Sequence, residues 1–286
     1  MNNHDETNEK RKTIRRNRII AAICALVVVG AGFFAVNKMI GKKNVVVNAA
    51  NGKKNSSESI ANKRESQIPK DNKNESGENL AAGAYKPWSA KRTDGKKVAY
   101  LTFDDGPSPN TTKILEILNK NNIKATFFLI GKNAEHNPEL VKQEIAQGNV
   151  VGNHTYSHQL NYKEGPQKFV EDLDKGNVVI KSIVGDKYDS KLIRFPGGSF
   201  GKKLEPFREA VTKAGYHYID WNDETGDAEH SNVPVNTLLS NLKKYTNSDT
   251  VVILMHDAGA KATTVQALPQ VIEYLKSKGY TFDTLK

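Results

Sequence analysis

Leu101-Thr102-Phe103-Asp104-Asp105-Gly106-Pro107 places two adjacent carboxylates and a Gly-Pro turn at the end of an apolar run, residues 98–103. The run predicts a strand that delivers both acids to its carboxyl end. Because successive side chains of a strand point to opposite faces, we expect Asp104 and Asp105 to face different ways and to have different functions. Asp, Gly and Pro also favour turns for backbone reasons, so this stretch alone fits a simple turn equally well.

From residue 97 onward, short apolar segments alternate with amphipathic helical patterns. Strands are predicted at 98–103, 125–130, 150–154, 192–195, 216–220, 251–255 and 280–284. Helices are predicted at 111–121, 138–147, 166–184, 205–214, 235–245 and 265–278. Repeated strand–helix–strand units indicate an α/β fold with a parallel sheet. Seven strands in one series favour a distorted parallel (β/α)7 barrel over 97–286, with a doubly wound sheet as the alternative.

The N-terminal part of the chain reads as a membrane anchor. A basic tail, 1–18, precedes an uncharged apolar run, 19–36, which is long enough to form a transmembrane helix. The excess of positive charge before the run places the tail in the cytoplasm and the rest outside. A cleaved signal peptide is the rival interpretation, but its apolar region is usually shorter and ends in a small-residue cleavage site. We therefore expect a single-pass protein of the cell membrane with an extracellular domain.

Residues 37–96 are predicted to be a flexible extracellular linker, because Asn, Lys, Ser, Glu and Gly dominate much of this segment and cannot form a core. The net charge of the chain is +10. Residues 1–83 hold 15 of the basic residues and only eight of the acidic ones, so the excess belongs to the anchor and linker. Nucleic-acid binding therefore loses its main support. The one cysteine, Cys24, lies in the apolar run, so the extracellular domain must be stable without disulfides.

The chemically distinctive residues follow the predicted strands, where a parallel barrel places its active site. His154 and His158 are four residues apart, so a helical face or tight turn can bring both to one metal ion. A carboxylate from the first strand supplies a third ligand and leaves positions open for water and substrate. The same ligand set suits non-haem iron oxygenases. The second aspartate favours hydrolysis, because a carboxylate beside a metal-bound water is positioned to act as a general base.

Four segments in this order, residues 102–107, 154–158, 194–197 and 254–256, resemble the motifs of the polysaccharide deacetylases, carbohydrate esterase family 4. The resemblance covers about 97–286. It implies a divalent metal, zinc first, with cobalt, nickel or iron as alternatives. It also implies a role for each matched residue: Asp105, His154 and His158 as metal ligands, Asp104 as base, His256 as acid, Arg194 to hold Asp104, the Gly197 amide for the oxyanion and Leu254 for the acetyl pocket.

Two segments depart from the family pattern. Gly197 stands where the third motif often has tyrosine. Glycine at this position keeps the backbone N–H donor but removes one wall of the pocket. A further family motif matches residues 218–228, between the third and the last of these segments. Its Asp-Trp pair aligns with Asp227-Ala228, so Asp227 is expected to orient His256 while the tryptophan is missing. Trp221 either fills that space or belongs to the core.

The family resemblance and the predicted outward-facing anchor together point to a cell-wall glycan as substrate. The expected reaction removes acetyl groups from N-acetylglucosamine of peptidoglycan, which exposes ammonium groups and confers lysozyme resistance. N-acetylmuramic acid, chitin-like glycan, exopolysaccharide and acetylxylan remain alternative substrates. From other classes, a non-haem iron oxidase or a non-catalytic wall-binding module is the alternative.

Overall fold

The computed structural model describes residues 82–185, 188 and 191–285. The predicted tail 1–18, the anchor 19–36 and the linker as far as residue 81 lie outside the described residues. Among the helices of the described part, none has the length and hydropathy that crossing a bilayer requires.

The sheet has nine strands, and every neighbouring pair is parallel. They are β1 (Gly83–Ala84), β2 (Lys97–Gly106), β3 (Thr126–Leu129), β4 (Val150–Asn153), β5 (Leu192–Ile193), β6 (His217–Tyr218), β7 (Asp223–Glu224), β8 (Thr250–His256) and β9 (Tyr280–Asp283). Their order is β1-β6-β5-β4-β3-β2-β8-β7, and β9 also pairs with β2. Strands β2 to β6 are neighbours in chain order and β8 returns to β2, as in a barrel. The arrangement is consistent with a distorted (β/α)7 barrel.

Helices connect the strands. They are α1 (Thr111–Lys120), α2 (Gly131–His136), α3 (Pro138–Ala146), α4 (Gly165–Val184), α5 (Glu205–Lys213), α6 (Val235–Tyr245) and α7 (Ala262–Ser277), with a short 3-10 turn at Lys202–Leu204. Their apolar faces pack on the sheet; in α1, for example, Ile114, Leu115 and Leu118 are buried. The six predicted helices are present, and α2 is an additional short one.

Strand β2 is the central strand of this sheet. It pairs with β8 along Val98 to Asp104, and on its other side with β9 at the start and β3 at the end. Most of its residues are buried, including consecutive ones from Leu101 to Asp104. This is the pattern of a parallel strand covered on both faces. The fold therefore places Asp104 and Asp105 at the carboxyl end of a largely buried strand that pairs with three others.

Two strands have no counterpart in the sequence prediction. Strand β1 lies within the range 37–96 assigned to the linker, and it pairs with β6. Strand β7 pairs with β8 next to the predicted catalytic segment. Each is two residues long and consists of Gly-Ala or Asp-Glu, so neither contains a large apolar side chain that would mark it as a strand.

Candidate active site

The two aspartates at the end of β2 converge instead of facing different ways. Asp105 has a left-handed backbone with φ of 73°, and the pairing of β2 with β3 shifts register between Asp104 and Gly106. This irregularity breaks the strand alternation. Asp104 Oδ2 lies 3.7 Å and Asp105 Oδ1 3.6 Å from Nε2 of His154. The two carboxylates differ in their other partners, since Asp104 pairs with Arg194 and Asp105 lies beside His158. They do not differ by pointing in opposite directions.

Asp105, His154 and His158 form a cluster that fits a metal ion. Their ligand atoms all lie within 4.8 Å of one another, and His158 Nε2 is 3.2 Å from Asp105 Oδ1. That oxygen is buried and has no hydrogen-bond partner within the described part of the chain. The histidines are carried by a turn and not a helix, with φ of 67° at Thr155 and 58° at His158. Two imidazoles and one carboxylate with an unused buried oxygen suit a divalent metal.

The hydrogen bonding and burial of His154 prepare it as a ligand. Its Nδ1 lies 2.9 Å from the carbonyl oxygen of Arg194. A carbonyl only accepts hydrogen bonds, so Nδ1 carries the proton and Nε2 presents its lone pair towards Asp105. Burial, reinforced by His158, lowers the pKa of His154 to about 3. The imidazole is therefore neutral at physiological pH, the state that binds metals.

Asp104 is held by the fully buried guanidinium of Arg194. Nη1 of Arg194 donates to Asp104 Oδ1 at 2.8 Å and to Thr102 Oγ1 at 2.8 Å. The remaining nitrogens donate to the carbonyls of Ile219 and Asp220. The arginine thus provides a charge partner for Asp104 and fixes where its carboxylate lies.

His256, at the end of β8, is paired with Asp227. Its Nδ1 donates to Asp227 Oδ1 at 2.8 Å, and its backbone N–H donates to Oδ2 at 2.8 Å. Thr264 donates a third hydrogen bond to Oδ2 at 2.8 Å. Burial acts to lower the pKa of His256, but the charge and hydrogen bond of Asp227 outweigh it and raise the pKa to about 9. His256 is thus an imidazolium at neutral pH, with its Nε2–H not used by Asp227.

The three remaining sequence-predicted residues lie in or after neighbouring strands of the sheet. Leu254 is buried in β8 and is in register with Thr102 of β2. Gly197 is exposed and follows β5, with φ of 73°. Trp221 is partly buried, and its ring centre lies 5.8 Å from Cζ of Arg194. The tryptophan packs against a buried cluster that includes Phe128 and Ile219, and it also lies beside the arginine that holds Asp104.

Sequence reasoning missed the support beneath the Asp-Asp turn. Asp257 is fully buried, and it accepts hydrogen bonds from Ser108 at 2.7 Å and from Thr111 at 2.5 Å. Its backbone N–H donates to the Asp104 carbonyl at 2.7 Å. The available signals were an acid directly after His256 and two hydroxyls after the Gly-Pro turn. Asp257 therefore joins the end of β8 to the segment that carries both aspartates.

Comparisons with known proteins identify the family of the chain. The polysaccharide deacetylase family model matches residues 91–219. A peptidoglycan-N-acetylglucosamine deacetylase of Bacillus cereus is 38% identical over 200 residues, covering 67% of this chain and 71% of the relative. Two solved structures are similar, each over 67% of this chain with a TM-score of 0.61: a Streptococcus mutans CE4 esterase, 35% identical over 87% of its chain, and the Bacillus cereus polysaccharide deacetylase Bc1974, 36% identical over 93%. The chain belongs to the polysaccharide deacetylase family, carbohydrate esterase family 4.

Proposed function

We propose that this protein is a metal-dependent deacetylase that removes N-acetyl groups from N-acetylglucosamine of peptidoglycan, giving acetate and a free amino sugar. The observation that carries the proposal is the convergence of three units: the cluster of Asp105, His154 and His158, the buried carboxylate of Asp104, and the imidazolium of His256. Together they provide a ligand set, a base and an acid, which are the parts that amide hydrolysis needs.

Asp105, His154 and His158 would hold the metal, with zinc as the proposed ion because two imidazoles and a carboxylate with open positions are typical of catalytic zinc sites. When bound, the ion would supply Lewis acidity to the acetyl carbonyl and increase the acidity of a water molecule.

The residues of the chain then divide the proton transfers. Asp104, held by Arg194, accepts a proton from the attacking water. The backbone N–H of Gly197 donates to the oxygen that becomes negatively charged as the carbonyl carbon turns tetrahedral. His256 donates its Nε2 proton to the amine as the C–N bond breaks, and Asp227 stabilises the imidazolium until then. Leu254 and Trp221 line the space for the acetyl methyl group.

The substrate part of the proposal is supported by the relatives. The Bacillus cereus relative named above acts, by its name, on N-acetylglucosamine of peptidoglycan. The basic residues before the uncharged run 19–36 support an anchored domain facing the cell wall. The free amino groups left after reaction would carry positive charge, and we propose that they reduce the action of lysozyme on the wall.

The direct test measures acetate release from peptidoglycan, N-acetylglucosamine oligosaccharides and acetylxylan, with and without chelator. We expect release from peptidoglycan that the chelator abolishes and zinc restores. The Asp104→Asn variant serves as the control for contaminating activity. Release from acetylxylan alone would overturn the proposed substrate. Chelator-resistant release would overturn the metal-dependent mechanism.

A separate test of orientation adds protease to intact cells. If the protease cannot reach the active domain, the proposed outward orientation is overturned.

A further inference from the structure

We propose that the exposed ring of Phe200, supported edge to face by Trp221, forms an aromatic platform that stacks against a pyranose ring of the glycan, next to the sugar being deacetylated. The inference rests on the proposed function and goes beyond it, because it assigns a binding subsite to a residue outside the four motifs. Phe200 is a large apolar side chain that is 42% exposed. Its ring meets that of Trp221 edge to face, with centroids 5.4 Å apart.

The platform adjoins the catalytic groups through Trp221. The indole lies 5.8 Å from Cζ of Arg194, which pairs with Asp104, and its N–H donates to Glu224 at 3.2 Å. Phe200 is also three residues after Gly197, the proposed oxyanion donor. A sugar with its acetyl group at Asp104 therefore brings the glycan chain close to Phe200.

The segment that carries Phe200 is fixed on both sides. Ser199 donates through its N–H and its hydroxyl to Asp220, at 2.8 and 2.7 Å. Arg208 donates to the carbonyls of Ser199 at 2.7 Å and Gly201 at 3.0 Å. An aromatic side chain that stays exposed between anchored neighbours is a pre-organised contact surface, because little conformational entropy is lost when a ligand covers it.

Gly198 shows that the ring positions depend on a close backbone approach. This glycine has φ of 86°, and a Cβ there would overlap the ring of Phe200 and lie 3.0 Å from Cη2 of Trp221. The Phe200 ring thus rests against the backbone at Gly198, and both rings depend on the absence of a side chain at this position.

The chemistry of the surface fits a sugar ring. The face of an aromatic ring is electron-rich, and the C–H groups on one face of a pyranose are weakly positive and apolar. The one exposed ring of Phe200 offers far less area than a stable protein interface needs, whereas it matches the face of one sugar. The occupant we assign is therefore an N-acetylhexosamine unit of the substrate chain.

The kinetic test compares a tetrasaccharide of N-acetylglucosamine with p-nitrophenyl acetate, which occupies only the acetyl site. In the zinc-loaded full chain, Phe200→Ala should lower the ratio of kcat/KM for tetrasaccharide to that for ester by about tenfold, because the stacked ring and its apolar contact area are lost. Phe200→Tyr should retain at least half of the ratio. Val178→Ala removes another exposed apolar side chain (69% exposed) and should not alter it.

A binding measurement separates this inference from the proposed function. Calorimetry with the tetrasaccharide is carried out on Asp104→Asn and on Asp104→Asn with Phe200→Ala. A weaker affinity in the double variant supports the platform even if the wild-type chain releases no acetate from glycan, a result that would overturn only the proposed function. Equal affinity in the two proteins, or an unchanged kinetic ratio in folded Phe200→Ala, overturns the platform.

Discussion

Replacing Asp227 with asparagine should move the alkaline limit of catalysis. Burial lowers the pKa of His256, but the charge and hydrogen bond of Asp227, with smaller contributions from the charges of Asp105 and Asp104, raise it to about 9. Asparagine keeps the size of the side chain and removes the largest of these opposing charges, so the pKa should fall towards its ordinary value of 6.5. A fall of about two pH units corresponds to roughly 3 kcal/mol.

The sign of the effect follows from the proposed role of His256 as general acid. The acid must be protonated, so the rate falls as pH rises through its pKa in the folded enzyme. At pH 8 the protonated fraction would drop from about 0.9 to about 0.1, which predicts a rate roughly tenfold lower than wild type. At pH 6 His256 would still be mostly protonated in Asp227→Asn, so the variant should retain most of the wild-type rate.

The assay measures initial rates of acetate release from pH 5 to 10, together with an NMR titration of His256 in the folded protein. Thr264→Val is the matched control, because it removes one hydrogen bond to Asp227 and leaves the charge in place. It should shift the alkaline limb much less. If the limb stays near pH 9 in Asp227→Asn while the NMR pKa of His256 falls, His256 is not the acid. If the NMR pKa does not fall, the electrostatic reasoning is wrong.

Three further predictions concern the metal cluster and the ion pair. His158→Ala should lose both bound metal and activity, measured by elemental analysis and acetate release; full activity without metal would contradict the mechanism. Asp104→Asn should retain metal and lose turnover by about 10² to 10⁴, whereas Asp105→Asn should lose metal; the reverse pattern would exchange their roles. Arg194→Met should lower the free energy of unfolding by about 3–5 kcal/mol, measured with urea, because Asp104 becomes a buried unpaired charge. Arg194→Lys should recover only part of this lost stability. An unchanged urea midpoint in Arg194→Met would refute the prediction.

The parts of the fold that sequence could predict are those with a long periodic signal. The seven predicted strands and six predicted helices follow from runs of apolar residues such as Ile114, Leu115 and Leu118 in α1. The residues assigned as ligands and proton-transfer groups could be found in the same way, because Asp104, His154 and His256 directly follow or end such runs. The strands β1 and β7 and the six-residue helix α2 contain too few large apolar side chains to produce a period.

The arrangement inside the site was less accessible from sequence. Strand alternation predicted that Asp104 and Asp105 diverge, and the left-handed backbone of Asp105 makes them converge. No local sequence pattern predicts this left-handed conformation, because the surrounding fold imposes it. The hydrogen bonds of Asp257 join residues almost 150 positions apart, and such pairings depend on the whole topology and not on any local pattern.

The buried guanidinium of Arg194 also constrains how this lineage could lose its activity. A single mutation that removes the Asp104 carboxylate would leave a cation enclosed among carbonyl oxygens and the ring of Phe128, whose centroid is 4.2 Å from Cζ. Such a mutation would abolish catalysis and weaken folding together, because the unpaired charge is not solvated. A descendant that lost its activity by this route would regain stability from a compensating change at residue 194. Selection for folding alone opposes decay of the base, even in a cell where the reaction is no longer required.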